Sequence, residues 1–529
     1  MTFAAGFLLL LWVVASLLLN GIAVLRWGTR LRGLPLIGYG AGAGVVLHAV
    51  LGLVIAAVPA ARWTLVAVLA GLTLLSAIYL FLRRIPQELF LELSRAAKIS
   101  LGLWALFLVI GLALLHIDVR LPDSLPDGPY VFKTHATNVK VQYLTTLPAD
   151  NYIPFAVTEF FLRGVSFKNA RPVMPANEVS NRTILMSLVA IPFRAALGAP
   201  YDHPEIGTFR YLGRDWPDVS KLDRDGAFDQ FSVIGLVLNS LLLLGALVFC
   251  NSLGAGSVLP VATLIYVTNA YFIGQTIYTW PKALAGFFIL LAWQSIRAGH
   301  GALVVAALLG IAFHAHPYTL AFFGWVALFY LVQWWRRKSG PFSLLVHLLV
   351  FTAIVLPWII WTRFVLQIPS DLIAQNFTGP GTEMAWASPM NFIWIRLYNL
   401  FFTICSTIFA LYPFDLSVLL DRCLVSLPGV VGLVLIYPAL ARCAEVRRPR
   451  WWLWYGFLGP SLSIVAIYSC PALPVLHGLQ APLAILLFLG VWRLSEHCNR
   501  RVYLRLVAVQ LLLNLGTLVA RGLTSGIRF

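Results

Sequence analysis

Asp150 and Asn151 lie between two prolines in TLPADNYIPF (146–155), an acidic–polar pair in a chain that is 60% hydrophobic and only 11% charged. An ionised carboxylate there offers a general base for a hydroxyl proton. The same ADNY segment suits the start of a helix, where Asp or Asn accepts from the first backbone N–H groups. The residues alone leave both uses open. A second polar stretch, NEVSNRT (177–183), sets Asn181 and Arg182 just ahead of an apolar run. A helix N-terminus beside a guanidinium is a natural seat for a lipid-linked phosphate, or else an ordinary cap with an arginine reaching toward headgroups. In QTIYTWPKALAGF (275–287), Tyr278 and Trp280 fit an aromatic belt and Pro281 fits a helix start. Lys282 then either snorkels or completes a cationic pocket. His314 and His316, in AFHAHPYTLAFF (312–323), fall at a turn between apolar segments, where their rings diverge. No third ligand is identifiable for them, so hydrogen bonding at the interface or to substrate is favoured over a metal.

These residues need elements to hold them, and the elements are apolar. Mean hydropathy is +0.84, and runs long enough to cross about 30 Å of hydrocarbon recur from end to end. Hydropathy predicts fourteen spans, near 4–26, 35–60, 63–82, 100–117, 230–252, 257–273, 281–298, 301–316, 317–335, 341–361, 423–442, 451–469, 474–494 and 502–521. The fold class expected is an all-α polytopic membrane protein. The formal net charge of +17 comes from short clusters between spans, such as Arg26/Arg30/Arg32, Arg336/Arg337/Lys338 and Arg442/Arg447/Arg448/Arg450. That is the pattern of cytoplasmic loops, not of a nucleic-acid surface. Six scattered cysteines, with no CxxC spacing, indicate neither a disulfide framework nor a metal cluster. No P-loop, GxGxxG turn, HExxH helix or serine triad appears.

Placing every basic cluster inside puts the N-terminus and residues 118–229 outside. That segment holds 13 of the 21 acidic residues against 12 Lys and Arg, and is the one acid-rich region. The organisation expected is therefore an N-terminal four-helix segment (1–117), an outer loop (118–229), and a C-terminal bundle (230–529) with a second outer loop near 362–422. Within the first loop, YIPFAVTEFFLR (152–163) reads as an amphipathic helix with Glu159 and Arg163 paired at i, i+4. Residues 183–198, carrying Pro192 and Arg194, read as a short helix lying in the membrane interface. Residues 391–411 read the same way, re-entrant or interfacial on the outer side. Arg363 and the polar stretch 367–384 form a second outer loop, a strap able to fold over the cavity mouth.

Taken together, TLPADNYIPFAVTEFFLRG, VSNRTILMSLVAIPF, YTWPKALAGFFILLA and GIAFHAHPYTLAFFGW resemble the GT-C superfamily. These are integral-membrane glycosyltransferases that draw a sugar from a polyprenyl-phosphate carrier, among them protein O-mannosyltransferases and aminoarabinose transferases. The resemblance covers about residues 100–370. It implies a GT-C-like bundle with juxtamembrane helices on an extracytoplasmic loop, in a bacterial inner membrane with a periplasmic active site. It implies Asp150 as general base and Arg182, Lys282, Arg163 and Arg363 at the donor phosphate. Asn151, Glu159, Asn181, Tyr278, His314 and His316 would line the substrate space. The acceptor would be a lipid, glycan or protein, with no metal ligand assigned and a divalent cation only as an option. The family's acidic pair is here Ala149–Asp150, so one carboxylate stands where relatives often carry two. A transporter or flippase of a lipid-linked substrate, or a polysaccharide polymerase or ligase, is the alternative.

Overall fold

A computed structural model describes residues 1–116, 152–168, 178–211, 214–217, 219–224, 226–368, 370, 372–379, 382–404, 433–445, 452–469 and 478–524. Asp150 and Asn151 lie outside the described residues, as do the first half of 423–442 and the start of the expected span at 474.

The described chain is helical apart from one short hairpin, β1 (Thr208–Tyr211) with β2 (Arg214–Pro217), antiparallel in the register Phe209↔Trp216. The helices that matter below are α1 (Phe3–Gly28), α2 (Gly33–Ala57), α3 (Arg62–Leu82), α4 (Ile85–Glu92), α5 (Arg95–Leu115), α6 (Ile153–Arg163) and α7 (Leu185–Ala196). They continue through α8 (Ala227–Leu253), α9 (Leu259–Thr268), α10 (Ala270–Ile277), α11 (Lys282–Arg297), α12 (Ala302–Ala315), α13 (Thr319–Trp335) and α14 (Pro341–Ile360). Shorter helices and the segments Gln480–His497 and Arg500–Thr524 follow.

Among the described residues, six helices are long and apolar enough to cross a membrane: Phe3–Gly28, Gly33–Ala57, Pro59–Leu82, Arg95–Leu115, Ala227–Leu253 and Pro341–Val365. A seventh forms if α9 and α10, bent by 70° at their junction, count as one broken span. Six of the expected spans thus appear among these, and the one expected at 502–521 is covered by the helix Arg500–Thr524. Those expected near 281–298, 301–316 and 317–335 are helical but only 16, 14 and 17 residues long.

The bend has a visible cause. Asn269 leaves helical geometry between α9 and α10, and its side-chain oxygen accepts from the backbone N–H groups of Tyr271 (3.0 Å) and Phe272 (3.4 Å). One amide therefore caps a new helix in the middle of an apolar run.

Helices α1 and α2 meet backbone to backbone. A Cβ on Gly21 would sit 1.8 Å from the Gly40 carbonyl oxygen, and one on Gly44 2.0 Å from that of Leu17. Such small-residue seams are how helices associate where lipid removes the hydrophobic drive. Beside the seam, Ser16 Oγ donates to His48 Nε2 (2.8 Å), and His48 Nδ1 donates to the Gly44 carbonyl (2.7 Å). Asn20 on α1 donates to Thr73 of α3 (3.0 Å), tying the third helix to the same polar cluster.

Helix α2 also touches two elements that matter for the site. The His48 ring stacks on Phe193 of α7 (5.1 Å, 8°), and a Cβ on Gly52 would lie 1.9 Å from the Leu188 carbonyl. At its other end the Tyr39 hydroxyl donates to Leu291 O (3.1 Å) and pairs with Ser295 Oγ (2.8 Å), both on α11.

Helices α6 and α7, read from the sequence as an amphipathic helix and a short interfacial one, are both enclosed by protein. Residues 153–160, 162 and 163 of α6 and residues 185–195 of α7 are all buried. The polar residues that gave these helices their amphipathic look face partners inside the protein. Helix α7 is also too short to cross, spanning about 18 Å at 1.5 Å per residue. Of 391–411, residues 389–404 form one helix, Pro389–Ile404, and the remainder lies outside the described residues.

Candidate functional site

The site grows out of the bend at Asn269. Because α10 turns away from α9, the chain leaves α10 at Tyr278 in an extended conformation and starts α11 at Lys282. Asn239 of the central helix α8 donates to the Tyr278 carbonyl (2.8 Å), which fixes this connection against the core. The Tyr278 and Trp280 rings meet edge to face at 4.4 Å. Lys282 is 0% exposed and Trp280 3%, so this is an interior site and not an aromatic belt.

Two cations converge on the Trp280 ring. Lys282 Nζ lies 3.1 Å from its centroid and Arg182 Cζ 5.7 Å. Trp faces attract cations through the ring quadrupole, more so when desolvated. Arg182 follows the 3₁₀ turn Val179–Asn181 and donates back to the Asn181 carbonyl (3.0 Å). Asn181 Oδ1 accepts from Ser370 (3.1 Å), so the strap after α14 reaches the same turn.

His316 joins the cluster and His314 leaves it. His316 lies within electrostatic reach of both Lys282 and Arg182, and its Nδ1 accepts from the Tyr318 backbone N–H (3.3 Å). Tyr318 in turn donates its hydroxyl to the Lys282 carbonyl (2.7 Å). His314 Nε2 instead donates to the Ile354 carbonyl of α14 (2.8 Å). The two rings part because His314 is the penultimate residue of α12, whereas His316 lies beyond it in extended backbone.

Two of the expected phosphate ligands are elsewhere. The reading that paired Arg163 with Glu159 is corrected by partners distant in sequence. Arg163 makes a two-pronged pair with Asp202, Nε and Nη2 each 2.7 Å from a carboxylate oxygen. Glu159 accepts from Arg194 Nε (2.9 Å), with both side chains buried. The hydrogen bonds from Arg163 hold the Asp202 carboxyl below its ordinary range, against a smaller opposing effect of burial. Burial pushes the Glu159 carboxyl up, and Arg194 and Arg163 pull it partly back. Glu159 is therefore engaged with Arg194 inside the protein. Arg363 is exposed at the end of α14, unlike the buried Arg182 and Lys282.

Residues that the sequence did not single out complete the surroundings. Tyr318 follows the His-x-His-Pro run directly, so position alone could have flagged it. Tyr468 lies within electrostatic reach of Arg182, and no local pattern pointed to it. Among the described residues no group of three His, Cys, Asp or Glu side chains could hold a metal ion.

Chemically, a buried guanidinium, a buried ammonium and the start of α11 meet beside one indole. Arg and Lys side chains and helix N-termini are the usual partners of phosphoryl oxygens. The fold and its spans define an all-α protein of the integral-membrane kind. Comparison of the chain with protein-family models, with curated proteins and with solved structures finds no match.

Proposed function

We propose that the chain is a membrane-embedded glycosyltransferase of the GT-C kind, taking a sugar from a polyprenyl-phosphate donor. The observation that carries this reading is the convergence of Arg182 and Lys282 on Trp280. Asp150, just before α6 in the chain, takes the proton of an acceptor hydroxyl on a lipid, glycan or protein. The acceptor oxygen bonds to the anomeric carbon as its bond to the carrier phosphate breaks, and a single displacement inverts that centre. Arg182 and Lys282 stabilise the charge that develops on the departing phosphate. The reading includes about fourteen spans, a bacterial inner membrane, and residues 118–229 on the periplasmic side.

The test is sugar transfer by purified protein supplied with a panel of polyprenyl-phosphate sugars, comparing wild type with Asp150→Asn. Transfer by wild type and its loss in the variant are expected. Undiminished transfer by Asp150→Asn removes the general base. A cysteine-accessibility map with 118–229 on the cytoplasmic side removes the topology.

One observation favours a second reading, a transporter or flippase of a lipid-linked substrate. Broken spans such as α9–α10 commonly surround substrate sites in transporters. Proteoliposomes separate the two: a transporter moves labelled polyprenyl-phosphate sugar between leaflets without a new glycosidic bond.

A further inference from the structure

His316 is 1% exposed and sits where its two ring nitrogens have unlike surroundings. Nδ1 faces the Tyr318 backbone N–H at 3.3 Å, which leaves no room for a proton on that nitrogen. The neutral ring therefore carries its proton on Nε2. That Nε2–H is buried and has no hydrogen-bond partner among the described residues. The neighbouring Thr319, whose backbone N–H donates to the His316 carbonyl (3.2 Å), brings a second such group: its hydroxyl is buried and without a partner among the described residues. Buried donors are nearly always satisfied in folded proteins, so one that is not calls for an occupant. Arg182 and Lys282, both within electrostatic reach of the ring, favour a negative occupant over a positive one.

We propose that His316 is the neutral hydrogen-bond donor of this buried phosphoryl site, its Nε2–H bonding an oxygen of the group that Arg182 and Lys282 attract. The proposal rests on the phosphate reading of the site and adds how the group is oriented within it. Two cationic side chains attract an anion by charge, which has little directional preference of its own. An imidazole locked through Nδ1 offers one direction, and does so without placing a third positive charge beside the other two. The ligand class is a lipid monophosphate or phosphodiester, since the site lies among apolar helices and its donors match tetrahedral phosphoryl oxygens.

The experiment measures binding of farnesyl phosphate to the purified full chain in detergent, with inorganic phosphate and phosphatidylglycerol as separate arms. Wild type is expected to bind farnesyl phosphate, with inorganic phosphate weaker and phosphatidylglycerol unable to displace it. His316→Ala is expected to weaken binding about ten- to hundredfold, the usual worth of a hydrogen bond to a charged group. His316→Gln, whose amide nitrogen reaches about as far as Nε2, is expected to restore most of it. His316→Asn, which reaches only as far as Nδ1, is not. If His316→Ala does not fold, the Gln and Asn pair carries the test by itself. Equal binding by all His316 variants, with binding lost in Lys282→Gln, overturns the role of His316 and leaves the phosphate site standing. Displacement by phosphatidylglycerol at equal potency overturns the carrier-lipid assignment in favour of a headgroup site. No binding of either phosphate by wild type removes the phosphate reading and this inference together.

Discussion

The Lys282 ammonium rests 3.1 Å from the centroid of Trp280, the residue two places before it, across the turn that opens α11. A cation at a helix N-terminus opposes the helix dipole, so its position there depends on the ring and on its other neighbours. Trp280→Leu is expected to lower stability by about 0.5–2 kcal/mol through the lost cation–π contact, in addition to the loss of packing. Trp280→Phe should recover part of this. Because the contact is buried, thermal unfolding in detergent should give the same difference at low and high salt. A difference that disappears in high salt would place Lys282 at the surface.

Glu159 and Arg194 form a buried pair at 2.9 Å. Removing one partner of such a pair strands the other charge and typically costs about 3–5 kcal/mol. Glu159→Gln should therefore unfold well below wild type, while Glu159→Met combined with Arg194→Met should recover most of the loss. A double-mutant cycle in detergent measures the coupling, and a value near zero would show that the pair is not formed.

Asp202 sets a pH dependence. Its carboxyl is depressed in the folded protein, chiefly by the hydrogen bonds from Arg163. The stabilisation is present above the ordinary aspartate value of about 4 and is lost as pH falls through the depressed one. Wild type should exceed Asp202→Asn by roughly 0.2–1 kcal/mol near neutrality, since the carboxylate is solvent-exposed, and the two should converge on acidification below about pH 4. Equal stability of the two proteins at neutral pH would remove the pair from the account.

Two glycines separate close packing from open space. A Cβ at Gly52 would lie 1.9 Å from the Leu188 carbonyl, whereas one at Gly71 on α3 would meet nothing within 4 Å. Gly52→Ala should push α7 off α2 and destabilise by about 1–3 kcal/mol. Gly71→Ala should be neutral or stabilise by up to about 1 kcal/mol, through helix propensity. Comparison of melting temperatures decides, and the reverse order would mean that α7 does not lie on α2.

What could be read in the sequence follows from how local each signal is. Helices α1, α2, α3, α5, α8 and α14 were legible because an uninterrupted apolar run needs no partner to announce itself. The 70° bend at Asn269 was not, since one amide in an apolar window barely alters hydropathy. Lys282 after Pro281 and Arg182 ahead of an apolar run were visible as candidate anion ligands from local order. Their meeting at a single ring depends on contacts between distant parts of the chain. Glu159 shows the opposite failure. The i, i+4 rule pointed to Arg163, and a better-placed arginine on α7 took the carboxylate.

Helix α2 carries neither cation, yet it backs α7, the helix that follows Arg182 in the chain, through His48 and Gly52, and α11, which Lys282 opens, through Tyr39. The gap between the guanidinium and the ammonium is thus gauged by a third body, much as a spacer sets the opening of a vice. Tolerance at the jaws is decided some way from them, in the small residues and the one phenol along α2. If the site takes the anion proposed for it, sequence drift in that helix would retune the grip without altering a single residue that touches the ligand.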